Sequence, residues 1–346
     1  MRKISKNLFI ILGNGFTIDF LNKIGKKSEV DVINLFTHGD KVPWVSDNEP
    51  GFLSYKRCPN LWNLGARPGM TNSDEANKII ENIITCANIY AYAKRESVSV
   101  DENNIYIKAY RELALYIKYL FIFYNEKITD DDIKKCFDNW GWYKLFENIK
   151  SNDKFNNITI VTYNYDILLE RILDIMKIKY NVVGFTENSE AKINIIKPHG
   201  SISFKSKITL ENSSFEINYN RDIIGAKLED LKMECNNLNE NSTVTALIPP
   251  AGDSSRFSSS WSNQLQIRVK DYAGNLIAQD EVILCGLSYW HVDRLEIDEI
   301  LISLDPEVNF KMINPKVPTE LNAVVSCIFK DYVAYSSSDV LGGLYE

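Results

Sequence analysis

Residues 8–20 read LFIILGNGFTIDF, and their order of residue types decides the fold. Leu8 to Leu12 is an unbroken apolar run of strand length that stops at Gly13–Asn14–Gly15. A strand apolar on both faces belongs inside a parallel sheet, because helices cover both sides of such a sheet. The glycines predict a tight turn, and residues 13–24 a turn leading into a helix. The same succession returns downstream. Strands are predicted at Ile158–Val161, Ile193–Ile196, Val244–Ile248, Glu281–Cys285 and Val308–Ile313. Helices are predicted over 166–176 and 261–278 and from about Asp293. Strand, polar turn and helix in recurrence imply an open α/β parallel sheet.

Two stretches depart from that succession. Residues 38–71 carry Pro43, Pro50, Pro59 and Pro68 without sustained periodicity, which predicts an irregular segment packed down by Trp44 and Trp62. Helical periodicity then runs over 73–95, 104–124 and 131–149, a helical insertion. Residues 202–220 read as a strand or hairpin excursion around Glu211–Ser214, and 222–234 as a helix. The expected division is 1–37 for the first part of the core, 38–150 for the irregular segment and insertion, and 151–346 for the remainder.

Composition narrows the function classes. A formal net charge of −7 disfavours nonspecific nucleic-acid binding, and no direct nucleic-acid or membrane binding is expected. No apolar run approaches the ~18 residues of a membrane span. The basic and apolar start breaks at Gly13 without a cleavage site, unlike a secretory signal. Six cysteines without a CxxC pair fit neither a zinc ribbon nor a disulfide scaffold, so a reducing cytoplasmic compartment is expected.

The polar residues that follow the strands carry the chemistry. Gly13, Asn14, Gly15, Phe16 and Thr17 form either a phosphate-binding turn at a helix N-terminus or an ordinary strand–helix turn. The third glycine of the dinucleotide fingerprint is missing, and no P-loop pattern is present. In TYNYD, Asn164 ends a strand at the edge where α/β folds bind ligands, while Asp166 either caps the next helix or meets ligand. In KPHG, His199 is an acid–base candidate or a satisfied turn histidine. His38 and His291 form no spaced metal cluster with it. Gly286 and Ser288 occupy a late strand-end turn without the GxSxG pattern of a nucleophile elbow, followed by Asp293, which either caps the helix or holds ligand-facing groups. Asn314–Pro315 closes the same crevice or forms a plain loop.

In this order, LGNGFT, TYNYD, KPHG, CGLS…D and INP resemble the sirtuin-like domains of bacterial antiphage NAD-depletion systems, over about residues 5–37 and 155–317. The resemblance implies a Rossmann-like parallel-sheet core of sirtuin type with a helical insertion. It implies NAD as substrate, nicotinamide and ADP-ribose as products, and service as an antiphage effector. Asn164 and His199 become the catalytic pair: Asn164 orients ribose or water, and His199 organises ribose hydroxyls or transfers a proton. Gly13, Asn14, Gly15, Phe16, Thr17, Asp166, Gly286, Ser288 and Asn314 become the dinucleotide contacts. The protein-deacetylating branch carries a four-cysteine zinc module that these six separated cysteines do not supply; no zinc is expected and peptide deacetylation is disfavoured. Homo-oligomerisation through the helical block, and a defence-system ATPase or Argonaute-like partner, are further expectations. Two other readings stay open: a noncatalytic nucleotide-sensing or assembly subunit, and an ADP-ribosyl-transferring or deacylating enzyme. A second abortive-infection family shares the GNGF-type opening, but TYNYD and CGLS favour the sirtuin-like reading. Nothing in the sequence separates NAD from NADP.

Overall fold

The apolar run forms strand β1 (Lys6–Leu12), with Leu8 to Leu12 at most 1% exposed. Helix α1 (Asn14–Ile24) begins directly after Gly13 and is closed by Gly25, whose φ of 70° suits a left-handed C-terminal cap. The structure is a computed structural model, and it describes residues 6–99, 101, 103–219, 226–249, 260–290 and 294–345. His291, the helix start expected near Asp293 and the cap assigned to Asp293 lie outside these residues.

After α1 the chain leaves the sheet. The irregular segment is as expected apart from one short helix, α2 (Pro59–Asn63). Trp44 packs on Phe52 and Phe215 at 4.8 Å each. Two long helices follow, α3 (Ser73–Arg95) and α4 (Ile105–Lys127). Asn72 caps α3 by accepting from the amides of Asp74 and Glu75. Glu112, fully buried on α4, accepts from the amides of Asn60 and Leu61 and from the Tyr219 hydroxyl. A buried carboxylate is tolerable here because backbone and hydroxyl donors replace its water, and it ties the irregular segment to the insertion.

The single helix predicted over 131–149 is two, α5 (Asp130–Lys135) and α6 (Gly141–Ser151). Trp140 breaks them with extended backbone, φ −120° and ψ 122°. That conformation lets its indole Nε1 donate to Asp19 at 2.8 Å and lets its ring pack against Phe16 and Phe20. Tertiary packing overrides the helical period.

The remaining elements are β2 (Phe155–Thr162), α7 (Leu168–Ile175), β3 (Tyr180–Val182), β4 (Ile193–Ile196), β5 (Gly200–Ser206), β6 (Leu231–Met233) and β7 (Thr245–Leu247). Then come α8 (Trp261–Gly274), β8 (Glu281–Cys285), α9 (Arg294–Ser303), β9 (Asn309–Ile313), α10 (Thr319–Ile328), β10 (Asp331–Tyr335) and α11 (Leu341–Leu344). Seven strands form one parallel sheet in the order β10-β9-β8-β1-β2-β4-β3. This is a Rossmann-like core carrying a helical insertion between α1 and β2.

Two expectations need correcting. Residues 226–234 are not helical: a short 3-10 turn leads into β6, which pairs antiparallel with β5. Residues 222–225 of that expected helix lie outside the described residues. The excursion after residue 202 does contain a strand, β5, but its partners are β6 and β7 and not the run after Glu211. Phe215 from that run is instead buried against Phe52 and Tyr119. Strand β3, helix α10 and strand β10 have no counterpart among the expected elements.

Register aligns the site. Thr162, Leu12, Cys285, Ile313 and Tyr335 lie in one row across five parallel strands. One residue further on, the amides of Tyr163, Gly13, Gly286 and Asn314 donate to Leu12, Cys285, Ile313 and Tyr335 respectively. All the turns that carry the sequence motifs on these strands therefore emerge at one level. The sheet also changes direction at β1, with β2 on one side and β8 on the other. Ligands of open α/β sheets bind outside the carboxyl ends at such a switch point.

Candidate active site

A cleft of about 890 Å³ opens above that row, in the upper part of the range for small-molecule sites. Gly13, Asn14, Gly15, Asn164, His199, Gly286, Ser288 and Asn314 all line it. Val32, from the stretch after α1, and Ile80 and Phe121, from the helical insertion, also line it, so the insertion supplies part of its wall. Phe121 packs edge-on against Tyr165 at 5.3 Å, beside Asn164.

Asn164 is 3% exposed and belongs to a directed hydrogen-bond chain. The Thr17 hydroxyl donates to Asp166 Oδ2 at 2.8 Å, because a carboxylate can only accept. Thr17 Oγ1 in turn accepts from Asn164 Nδ2 at 3.1 Å. This settles which end of the amide is which. Asn164 Oδ1 is left buried without a hydrogen-bond partner in the wall of the cleft. An unpartnered buried oxygen costs on the order of 1–3 kcal/mol, so a ligand hydroxyl or water is a favoured neighbour. Asp166 Oδ1 accepts from the Leu168 amide at 3.1 Å, which makes Asp166 a support for both Thr17 and the start of α7.

His199 is 4% exposed, and its Nε2 lies 2.9 Å from Glu296 Oε2 on α9. The carboxylate accepts, so Nε2 carries a proton. The Tyr163 ring stands edge-on to the imidazole at 4.8 Å. The next residue, Gly200, has φ 88° and its Cβ would fall 2.1 Å from the Ala246 carbonyl oxygen, so the KPHG turn requires glycine.

The buried Lys197 side chain holds the TYNYD and KPHG turns together. Lys197 Nζ donates to the Asp166 carbonyl at 2.5 Å and pairs with Glu170 at 2.8 Å, both side chains being 1% exposed. The Ile202 amide donates to the Tyr165 carbonyl, and the Tyr165 hydroxyl to that of Ile248. The TYNYD and KPHG turns are thereby cross-braced on adjacent strands β2 and β4.

The remaining predicted contacts divide. Phe16 is 1% exposed and sits between Trp140 and Trp142 at 5.3 Å each, in the core and away from the cleft. Thr17 and Asp166 stand behind Asn164 and do not line the cleft. Asn314 lines it but spends its amide internally, donating to the Leu287 carbonyl and accepting from the Lys316 amide. Gly15 and Gly286 meet backbone to backbone, since a Cβ on either would lie 2.2–2.3 Å from the other's Cα. Their smallness serves the approach of two protein turns. Cys285 reaches the cleft, and burial pushes its thiol well up, away from a thiolate nucleophile at neutral pH.

Among the described residues, no three His, Cys, Asp or Glu side chains gather as a metal site. Nor is any helix among them long and apolar enough to cross a membrane. Glu296, Lys197 and Glu170 were not singled out by sequence reasoning. Lys197 stood inside a quoted motif; Glu296 had no signal beyond an acidic residue on a predicted helix.

Residues 158–244 match the family described as SIR2-like domain, a stretch that holds both Asn164 and His199. No curated protein matches the chain. The fold and this match define a Rossmann-like core of sirtuin type with a SIR2-like domain across β2 to β6.

Proposed function

We propose that this chain is an NAD glycohydrolase that cleaves NAD to nicotinamide and ADP-ribose, with Asn164 and His199 as the catalytic pair. The observation that carries the reading is the orphaned, buried Asn164 Oδ1 in a cleft shared with the His199–Glu296 pair. SIR2-like domains act on NAD in general, which favours the same substrate.

Breaking the nicotinamide–ribose bond leaves the electron pair on nicotinamide and builds positive charge at the ribose C1′. Water supplies the new C–O bond and releases one proton. Asn164 Oδ1 accepts a hydrogen bond from ribose or water and so fixes the reacting groups. With Nε2 donating to Glu296, the neutral imidazole carries its lone pair on Nδ1, the atom able to take up a proton. Glu296 stabilises the imidazolium that results. The resemblance to antiphage NAD-depletion domains supports an effector role in which this turnover drains the cell's NAD.

Purified chain incubated with NAD is expected to release nicotinamide and ADP-ribose in equal amounts. Asn164→Ala and His199→Ala are each expected to lower the rate by about 100-fold or more while the chain stays folded by circular dichroism. Tight NAD binding without any turnover would sink the reading in favour of a nucleotide-sensing subunit.

A further inference from the structure

The turn that was expected to cradle phosphate has already spent much of its donor capacity. The amides of Gly13 and Gly15 donate to the carbonyls of Cys285 and Gly286 at 2.9 and 3.1 Å, and that of Phe16 to Gly13 at 3.1 Å. Gly15 and Gly286 are also in backbone contact, so no ligand backs onto that face of the turn. A dinucleotide brings a diphosphate with two negative charges, and these need donors from elsewhere.

Among the described residues, the charged side chains lining the cleft are the anions Asp19 and Glu320 and the cations Arg294 and Lys316. Lys316 is exposed, whereas Arg294 is half-buried at the start of α9. Arg294 Nε is buried and has no hydrogen-bond partner among the described residues. A guanidinium Nε–H withdrawn from water and left unpaired is unfavourable unless an acceptor arrives. The side chain is also held in place. Its guanidinium lies 4.8 Å over the Tyr289 ring, and the Tyr289 hydroxyl donates to Asp298, one turn along the same helix. Tyr289 itself lines the cleft and takes φ 52°, in the left-handed region.

Resting on the dinucleotide reading above, we infer that Arg294 is the residue that binds the substrate's diphosphate, in place of the amides of the glycine turn. A planar guanidinium matches phosphate oxygens with two parallel donors, and its Nε–H is part of that fork. Anchoring from the β8–α9 connection puts the diphosphate on the β8 side of the switch point and the ribose toward Asn164 on the β2 side.

Calorimetric titration with ADP and with adenosine tests this on the full chain, comparing wild type with Arg294→Gln, Arg294→Lys and Lys316→Gln. Loss of one charge-assisted phosphate anchor is expected to weaken ADP binding by about 10- to 100-fold in Arg294→Gln, with adenosine binding unchanged. Arg294→Lys should recover only part of the loss, and Lys316→Gln should stay close to wild type. Equal ADP affinity in wild type and Arg294→Gln overturns the inference and leaves the dinucleotide cleft intact. Parallel loss of ADP and adenosine binding also overturns it, since Arg294 would then be a structural prop. Absence of ADP binding to wild type overturns the inference together with the reading beneath it.

Discussion

The orientation of Asn164 follows from which atoms can donate. Asp166 accepts, Thr17 therefore donates to it and accepts from Nδ2, and Oδ1 is the end left for a ligand. His199 is organised by the same logic, since only a proton on Nε2 satisfies Glu296. Glu296→Gln retains an acceptor for that proton and removes the charge that stabilises an imidazolium. Its kcat for NAD is expected to fall by about 10- to 100-fold, less than removal of His199 itself, with little change in thermal stability. A wild-type rate for Glu296→Gln would mean that the carboxylate has no catalytic bearing. Asn164 and His199 were legible in the sequence as candidates because each follows an apolar strand, at the edge where open α/β sheets bind ligands. Glu296 and Arg294 were not, because a charged residue on a helix reads as a solvated face until packing buries it.

Adjacent strands are fastened by side chains as well as by the ladder. Lys197 lies directly before Pro198–His199 and reaches from the end of β4 to the Asp166 carbonyl and to Glu170 on α7. Its ammonium and the Glu170 carboxylate are both withdrawn from water, so removing one partner strands the other. Lys197→Met is expected to cost about 3–5 kcal/mol in denaturant unfolding, and Lys197→Met with Glu170→Leu much less. A double variant as unstable as the single one would show that the pair is not the source of the loss. The strand ends most legible in sequence were the C-terminal ones of β1, β2, β4, β8 and β9, whose apolar runs stop at abrupt polar turns. The break between α5 and α6 was hidden, since Trp140 fits a helical period and leaves it only to reach Asp19.

Burial of ionisable groups sets how the whole molecule responds to alkali. Desolvation raises the thiols of Cys58, Cys136 and Cys285, that of Cys136 to about 12, and raises the phenols of Tyr110, Tyr116, Tyr119 and Tyr124. The fold thus favours their neutral forms, and the unfolded chain releases these protons first. This stability is fully present below about pH 8.5, where unfolded thiols begin to ionise, and is lost as pH rises toward the raised folded values. Urea midpoints are expected to fall between about pH 8.5 and 10.5, and a flat profile would contradict the assignment. Lys118 works in the opposite sense: burial lowers it to about 8, so the cost of its charge fades as pH rises above that value. Any gain in stability from Lys118→Met should therefore be largest below pH 8 and shrink toward the ordinary lysine value of 10.5. By itself, the sequence determined that a parallel sheet forms, which strands build its centre, and which polar turns crown them, because apolar runs and turn residues are local signals. Only the tertiary structure decided that Phe16 belongs to the core, that Gly15 faces Gly286, that Glu296 pairs with His199, and that Arg294 joins the cleft. Those partners lie far apart in the chain, and what each side chain does depends on the neighbours that strand register brings to it.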